Sequence, residues 1–403
     1  MKSLSKSLAR TTSGRYINQI DGLRFIAIFP VLLHHLAERI YRAMSGQQTL
    51  NDNDVFLYQL LPSGRLGVEI FFVISGFVIS MPLLKNWINT KNVKFSYRRY
   101  LLKRITRLEP PYLLIMASSF ILLFLLNQLN IDFSGGTRSF SSNSLTLTNS
   151  FIASLFYGHG IIYNSFPKLN PPAWSLEIEF QFYLIAPILI LLSISIANKL
   201  PRKDYIVIIL LLMIFTIKLI GSSFIPLSLQ KYYITNYFEF FILGFIFSFF
   251  YFTSFFQNIL LKRSSSLVFV FGIILAYVGD HYRLSKEGWN SIYDFFRILG
   301  IFLIFFGSFS GGLGQKFTEK KWISILGGMC YSIYLIHLFI FQVGVSIMFK
   351  YLCFGSFALN LLTYSIILIP LTFIASAAFF ILVEKPCMNP DWYKLLIKKF
   401  KHN

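Results

Sequence analysis

Acidic side chains are scarce in this chain: 17 Asp and Glu stand against 37 Lys and Arg, and the four charged types together supply only 13% of 403 residues. A soluble domain carries about a quarter of its residues as charges, so a water-covered globule is excluded. The three cysteines, Cys330, Cys353 and Cys387, form no CxxC pair and have no histidines at zinc spacing. Neither a disulfide framework nor a cysteine-based metal site is therefore expected. A glycine-rich phosphate loop is also missing, because GGLG at 311–314 reads as a turn. No Ser/His/Asp signature, internal repeat or soluble domain is found. What the chain has in abundance is apolar residues, 55% of the total. The formal charge of +20 could suit nucleic acid, yet the cations fall in alternate short stretches between apolar runs. That arrangement is a membrane-topology signal, and no nucleic-acid partner is expected.

Ten apolar runs read as spans: 19–38, 66–84, 108–129, 176–197, 205–221, 233–253, 267–280, 293–312, 323–347 and 358–383. Most approach the ~20 residues that a crossing helix needs, whereas 205–221 and 267–280 are short. The fold class is an all-α polytopic integral membrane protein of about ten transmembrane helices. One membrane domain, 16–388, is expected between an N-terminal tail, 1–15, and a basic C-terminal tail, 389–403. The tails and the loops at 85–107, 198–204, 256–266 and 313–322 hold 25 Lys and Arg, against 9 in the intervening connections. Both termini are therefore expected in the cytoplasm. The first span lacks a small-residue cleavage site, so it reads as an uncleaved anchor. The longest connection, 130–175, is expected outside, with its apolar patch FIASLFYGHGIIY as a re-entrant or interfacial segment.

Arginine and histidine are costly in hydrocarbon, so Arg24 and His35 inside the first span mark a functional site by default. Their eleven-residue separation returns to within ~20° of the same direction and climbs ~16 Å along a helix. They share one face at different depths, with Pro30 between them as a source of a kink. The alternative is a buried pair that only fixes helix packing.

The chain resembles the membrane-bound acyltransferase 3 family of integral membrane O-acyltransferases. The resemblance covers nearly the whole sequence. It runs from IDGLRFIA and the Arg-x10-His of the first span, through GRLGVEIFFVISGFVIS and YRRYLLKRITRLEPPY, to PAWSLEIEFQFYLIAP, CYSIYLIH and VEKP. It implies transfer of an acyl group, usually acetyl from cytoplasmic acetyl-CoA, to a sugar hydroxyl of a cell-envelope glycan or related acceptor. Acyl-CoA is then a co-substrate, no cofactor or metal is held tightly, and the other partners are lipid-linked sugars and membrane lipids in the cytoplasmic (inner) membrane. Some members carry an extracytoplasmic hydrolase-like domain after the membrane part. Only about 20 residues follow the last span here, so such a domain would be a separate chain.

Carried over position by position, the resemblance makes His35 the catalytic histidine, a general base or transient acyl carrier. Imidazole has the unperturbed pKa for proton removal near neutrality. His34 points ~100° away on the helix and reads as a packing or interfacial residue. Glu38, at i+3 from His35 and i+4 from His34, either orients an imidazole or pairs with Arg39 or Arg42. Arg104 and Arg107 match the family's Arg-x-x-Arg and would present guanidinium forks to CoA phosphates, joined by Arg24. Arg98, Arg99 and Lys103 either widen that positive field or serve only topology and lipid headgroups. Glu179 matches the signature carboxylate, as a residue that orients the acceptor or neutralises an imidazolium, or as a structural hydrogen-bond partner. Phe180 stands where many members have a second acid. Glu177 reads as interfacial, and Glu69 replaces a more usual aspartate. Ser75 reads as a small residue that allows close helix packing beside Gly76. His337 reads as a packing residue or a second catalyst, and Glu384 as a structural partner of the Arg-x-x-Arg region.

Two other classes fit parts of the pattern. A proton-coupled transporter also places Arg, His and Glu inside spans, but commonly shows internal repeats. A glycosyltransferase using a nucleotide donor usually needs an acidic metal-binding pair in a sizeable loop domain, and none is evident.

Overall fold

A computed structural model describes residues 17–90, 95–129, 144–225, 231–253, 259–282 and 290–389, together with Leu8 and Trp392. The predicted tails, 1–15 and 389–403, lie almost wholly outside these residues. The described residues form helices and turns, without strands. In chain order the helices are α1 (Asn18–Gly46), α2 (Asp52–Gln59), α3 (Gly64–Thr90), α4 (Tyr97–Gln128), α5 (Ser144–Leu155), α6 (His159–Tyr163), α7 (Trp174–Ala197) and α8 (Tyr205–Phe224). They continue with α9 (Phe238–Phe252), α10 (Ile259–Tyr282), α11 (Asn290–Phe309), α12 (Gly312–Thr318), α13 (Lys321–Gly328), α14 (Cys330–Tyr351) and α15 (Phe357–Phe379).

Among the described residues, eight helices are long and apolar enough to cross a membrane, and two shorter apolar helices, Tyr205–Lys218 and Phe238–Phe252, coincide with the predicted fifth and sixth spans. The protein is an all-α polytopic membrane protein. Its seventh span is longer than expected: the apolar stretch 267–280 is the middle of α10, which runs from Ile259 to Tyr282. Charged residues in its first turns, Lys262 and Arg263, hid that length. The predicted ninth span divides differently, into the short α13 and the full-length α14, with a break at Met329.

Helix ends follow local chemistry. Asn51 caps α2 in a reciprocal box with Asp54, satisfying amide donors that the first turn leaves open. The Ser96 hydroxyl accepts from Arg99 N at 3.5 Å and opens α4 there, well before its apolar run, so the basic cluster 98–107 is itself helical. Lipid-facing apolar side chains such as Leu125, Ile188, Leu212 and Ile374 stay exposed, as they do when hydrocarbon replaces water.

The central helices touch backbone to backbone. A Cβ on Gly76 of α3 would sit 2.0 Å from the Phe241 carbonyl oxygen of α9, and one on Gly244 of α9 would sit 2.1 Å from that of Val73. Gly67 packs as tightly on Ala27, and Gly327 of α13 on Asp21 of α1. Small residues let membrane helices approach in this way. The buried carboxylate of Glu69 then pins α3 to α11. One oxygen lies 2.8 Å from Arg65 Nε and the other 2.7 Å from Arg297 Nε. The open role of Glu69 is thus a structural one.

Candidate active site

Two cavities enter this array, and Tyr334 of α14 lines both. The first, of about 110 Å³, is walled by the N-terminal turns of α1, α4 and α14, the middle of α3, the start of α7 and Glu384 at the end of the last helix. Arg24, Arg104, Arg107 and Glu179 all line it. Arg104 and Arg107 are three residues apart on α4 and therefore face one way. Both are half-buried, whereas Arg98, Arg99 and Lys103 are exposed on the rest of the turn and do not line the cavity.

The partners of these groups show how the cavity holds its charge. Arg24 is ion-paired to Asp21, one turn earlier on α1. The Arg104 guanidinium lies 5.8 Å from the Tyr100 ring centre and 5.5 Å from that of Tyr183, a stacking that steadies a cation without neutralising it. Arg107 Nε is buried and meets no hydrogen-bond partner among the described residues. Glu179 accepts hydrogen bonds from the Ser75 and Tyr183 hydroxyls. Ser75 is therefore a carboxylate partner in the cavity wall, and the close packing expected of it belongs to Gly76 next door. Glu384 accepts from Ser332 N at 3.1 Å and Ser332 Oγ at 2.6 Å, and it shares the cavity with Arg107, whose charge acts on it as expected. A π-helical turn over Phe380–Glu384 carries it toward α14.

The second cavity, of about 470 Å³, opens at the other end of α1. His34, His35, Glu38, Arg39 and Arg42 line it from α1, Arg65 from α3, Lys168 from the segment before α7 and Trp174 from the first turn of α7. Glu38 meets both expectations at once, lying 3.5 Å from His35 Nδ1 through Oε2 and accepting from Arg42 through Oε1. A carboxylate opposite Nδ1 favours the proton there and leaves the Nε2 lone pair as the basic position. His34 is not a packing residue on a separate face: its ring is 5.3 Å from that of His35, and it lines the same cavity.

His337 is fully buried behind His35, with ring centres 5.3 Å apart. Its Nδ1 lies 3.1 Å from the Ile333 carbonyl and 2.8 Å from that of Tyr334. Carbonyls only accept, so Nδ1 carries the proton and the ring is fixed in one tautomer. It does not line the cavity, which suits a residue that positions His35.

His34, His35 and Glu38 also place one ligand atom each within 4.8 Å of one another, a spacing that could hold a metal ion. Four cations, Arg39, Arg42, Arg65 and Lys168, line the same cavity, and Glu38 already binds Arg42. That field opposes a dication.

The connection before α7 is ordered by α7 itself. Glu177 is 1% exposed and accepts from the backbone N–H groups of His159 at 3.2 Å and Gly160 at 2.9 Å. It is a buried anchor for α6, not an interfacial residue. Tyr112 of α4 donates to the Ser154 carbonyl at 3.0 Å, and the Asn170 amide donates to that of Leu335 at 3.2 Å. The expected re-entrant or interfacial patch is thus α5 and α6, held against α4 and α7; residues 130–143 lie outside the described ones.

Tyr334 stands in the wall of both cavities. Its hydroxyl donates to the Pro172 carbonyl and lies 2.7 Å from Ser175 Oγ. His35 and Glu179 consequently face different cavities. Sequence reasoning passed over Asp21, Tyr334, Ser175 and Lys168. Only Asp21 left a readable signal, its i, i+3 spacing from Arg24.

The family described as an acyltransferase domain, acyltransferase 3, matches residues 17–381. A Staphylococcus aureus (strain COL) protein provisionally named an O-acetyltransferase is 26% identical over 211 residues, covering 50% of this chain and 29% of its own length. The peptidoglycan O-acetyltransferase OatA of Listeria monocytogenes is 29% identical over 201 residues, covering 47% of this chain and 26% of its own. The chain thus aligns with less than a third of the length of these relatives. No solved structure matches. With that match spanning every described helix from α1 to α15, this multi-pass membrane protein belongs to the acyltransferase 3 family.

Proposed function

We propose that the chain is a membrane O-acetyltransferase that takes acetyl from cytoplasmic acetyl-CoA and places it on a hydroxyl of a cell-envelope glycan or related sugar, in the cytoplasmic (inner) membrane with both termini inside. The observation that carries this reading is the meeting of two unlike cavities at Tyr334, one with three arginines and one with a carboxylate-paired histidine. CoA phosphates suit Arg24, Arg104 and Arg107, because guanidinium forks bind phosphate through paired hydrogen bonds. The names of the relatives, one a peptidoglycan O-acetyltransferase, support a glycan acceptor.

In this mechanism the thioester reaches the Tyr334 boundary from the arginine side, and the acceptor hydroxyl approaches His35 from the other. His35 Nε2 takes the hydroxyl proton as the oxygen attacks the thioester carbonyl. The C–S bond then breaks, and the proton passes from the imidazolium to the departing CoA thiolate. Glu38 stabilises the imidazolium in the interval. A two-step route, through acetyl on the imidazole, uses the same atoms. Glu179, held by two hydroxyls on the arginine side, orients the donor end of the site.

Proteoliposomes given labelled acetyl-CoA and an acceptor-bearing membrane extract should accumulate an O-acetyl ester released by mild alkali. In a Cys353→Ser background, cysteines at Ile162 and Lys320 should label from opposite faces. Transport of acceptor without any labelled ester would overturn the reading in favour of a transporter, and labelling from one face would overturn the orientation.

A further inference from the structure

We propose that the His35 cavity recognises an acidic acceptor, a sugar bearing a carboxylate or a phosphate close to its accepting hydroxyl, with Arg39 as the main ligand of that anion. The inference rests on the acyl-transfer reading for the hydroxyl and on separate observations for the anion.

Four cations and one carboxylate line this cavity. Two of the cations are already committed, Arg42 to Glu38 and Arg65, through Nε, to the buried Glu69. Arg39 is different. It is only 6% exposed, yet its Nε and Nη1 are buried without a hydrogen-bond partner among the described residues. Leaving charged donors buried and unpaired is costly, so a fold keeps such a group where something else completes it. The completing group must be an acceptor, and an oxyanion matches a guanidinium fork best.

Geometry ties that anion to the chemistry. Arg39 follows His35 by four residues on α1, which puts the two side chains on one face with Cβ atoms about 6 Å apart. That is roughly the span of one sugar ring between a carboxylate or phosphate and a neighbouring hydroxyl. Lys168, half-buried on the opposite wall, supplies a second cation from the segment that Glu177 and Asn170 hold in place. An acceptor clamped at both points would present its hydroxyl to His35 in one register. A neutral sugar would leave Arg39 unpaired and bind more loosely.

The test uses the full chain in lipid nanodiscs and three probes: methyl glucuronoside, methyl glucoside 6-phosphate and uncharged methyl glucoside. Binding and acetyl transfer are both measured. One or both acidic probes should bind at least about tenfold tighter than the neutral one, as expected for a charge-assisted contact. Arg39→Gln should erase that preference, Arg39→Lys should keep part of it, and CoA binding should be unchanged in both. Which acidic probe wins separates carboxylate from phosphate recognition. Should Arg39→Gln fail to fold, Lys168→Gln takes its place and should lower the preference several-fold. Equal binding of all three probes by the parent, or a preference that survives both substitutions, overturns the proposal. Acid-selective binding without transfer from acetyl-CoA to any acceptor, membrane extract included, would leave the subsite standing and reject the acyl-transfer reading instead.

Discussion

The two cavities on either side of Tyr334 are both arginine-lined, and they differ in what the arginines are given to hold. In the cavity of Arg104 and Arg107 the carboxylates of Glu179 and Glu384 are satisfied by hydroxyl and backbone donors. Arg104 stacks on aromatic rings. Opposite charges there share one chamber, each lining acid held by a neutral partner, and Arg24 is ion-paired to Asp21 rather than to either of them. In the cavity of His35 one lining carboxylate, Glu38, joins an arginine to the imidazole. Net charge alone would have ranked the two cavities wrongly, since the His35 side has more cations and fewer acids. The partner of each charge, rather than the sum, distinguishes the proposed phosphate cradle from the proposed proton-transfer site.

The largest effect should come from removing the base. His35→Ala should lower acetyl transfer by about 10²–10⁴-fold while CoA binding is retained, whereas His34→Ala keeps measurable turnover. Steady-state transfer and direct CoA binding, measured on the same preparations, check the separation; full turnover by His35→Ala would merge the two cavities into one binding site. A smaller effect is expected on the other side. Arg104→Ala with Arg107→Ala should weaken CoA binding by about 1.5–3 kcal/mol for each lost phosphate contact, and added salt should narrow the gap from the parent. If the double variant binds CoA as tightly as the parent, these arginines serve only topology.

The smallest effect is a loosening of the connection before α7 with acid. Burial pushes His159 below the usual histidine range, and its Nδ1 lies 3.1 Å from the Ser165 carbonyl. A histidine lowered in the folded state contributes stability that is fully present above the unfolded value of about 6.5. The contribution is lost as pH falls through that value toward the folded one. Amide exchange across 159–165 should therefore quicken as pH drops below about 6.5, after correction for intrinsic rates, and His159→Gln should flatten the dependence. The cavity of Arg104 and Arg107 should show no matching change.

Much of this arrangement was legible in the sequence because it is written at helical spacing. Arg104 and Arg107 share a face by their three-residue separation, and Glu38 reaches His35 by the same rule. Arg24 and His35 fall on one helix at two depths, and the structure puts them in different cavities. What escaped was contact between distant segments. Glu177 looked interfacial because its position near the start of α7 says nothing of the amides brought to it by α6. Ser75 looked like a packing residue because its partner, Glu179, is 104 residues away. Glu384 does share its cavity with Arg107, as its match to the Arg-x-x-Arg region implied, but its hydrogen bonds to Ser332, 52 residues away in sequence, were beyond reach of any local count.

In the proposed orientation the two cavities lie toward opposite faces of the membrane, and one side chain, Tyr334, belongs to the walls of both. A phenol ring whose hydroxyl meets Pro172 and Ser175 then stands between them. Under the proposed function, the residue at which thioester and hydroxyl meet would also have to insulate, holding back protons and small ions driven by a membrane potential worth about 2.3 kcal/mol per charge at 100 mV. Tyr334→Gly vesicles should dissipate an imposed potential faster than parent vesicles. The electrical tightness of the cell would then depend on one aromatic ring.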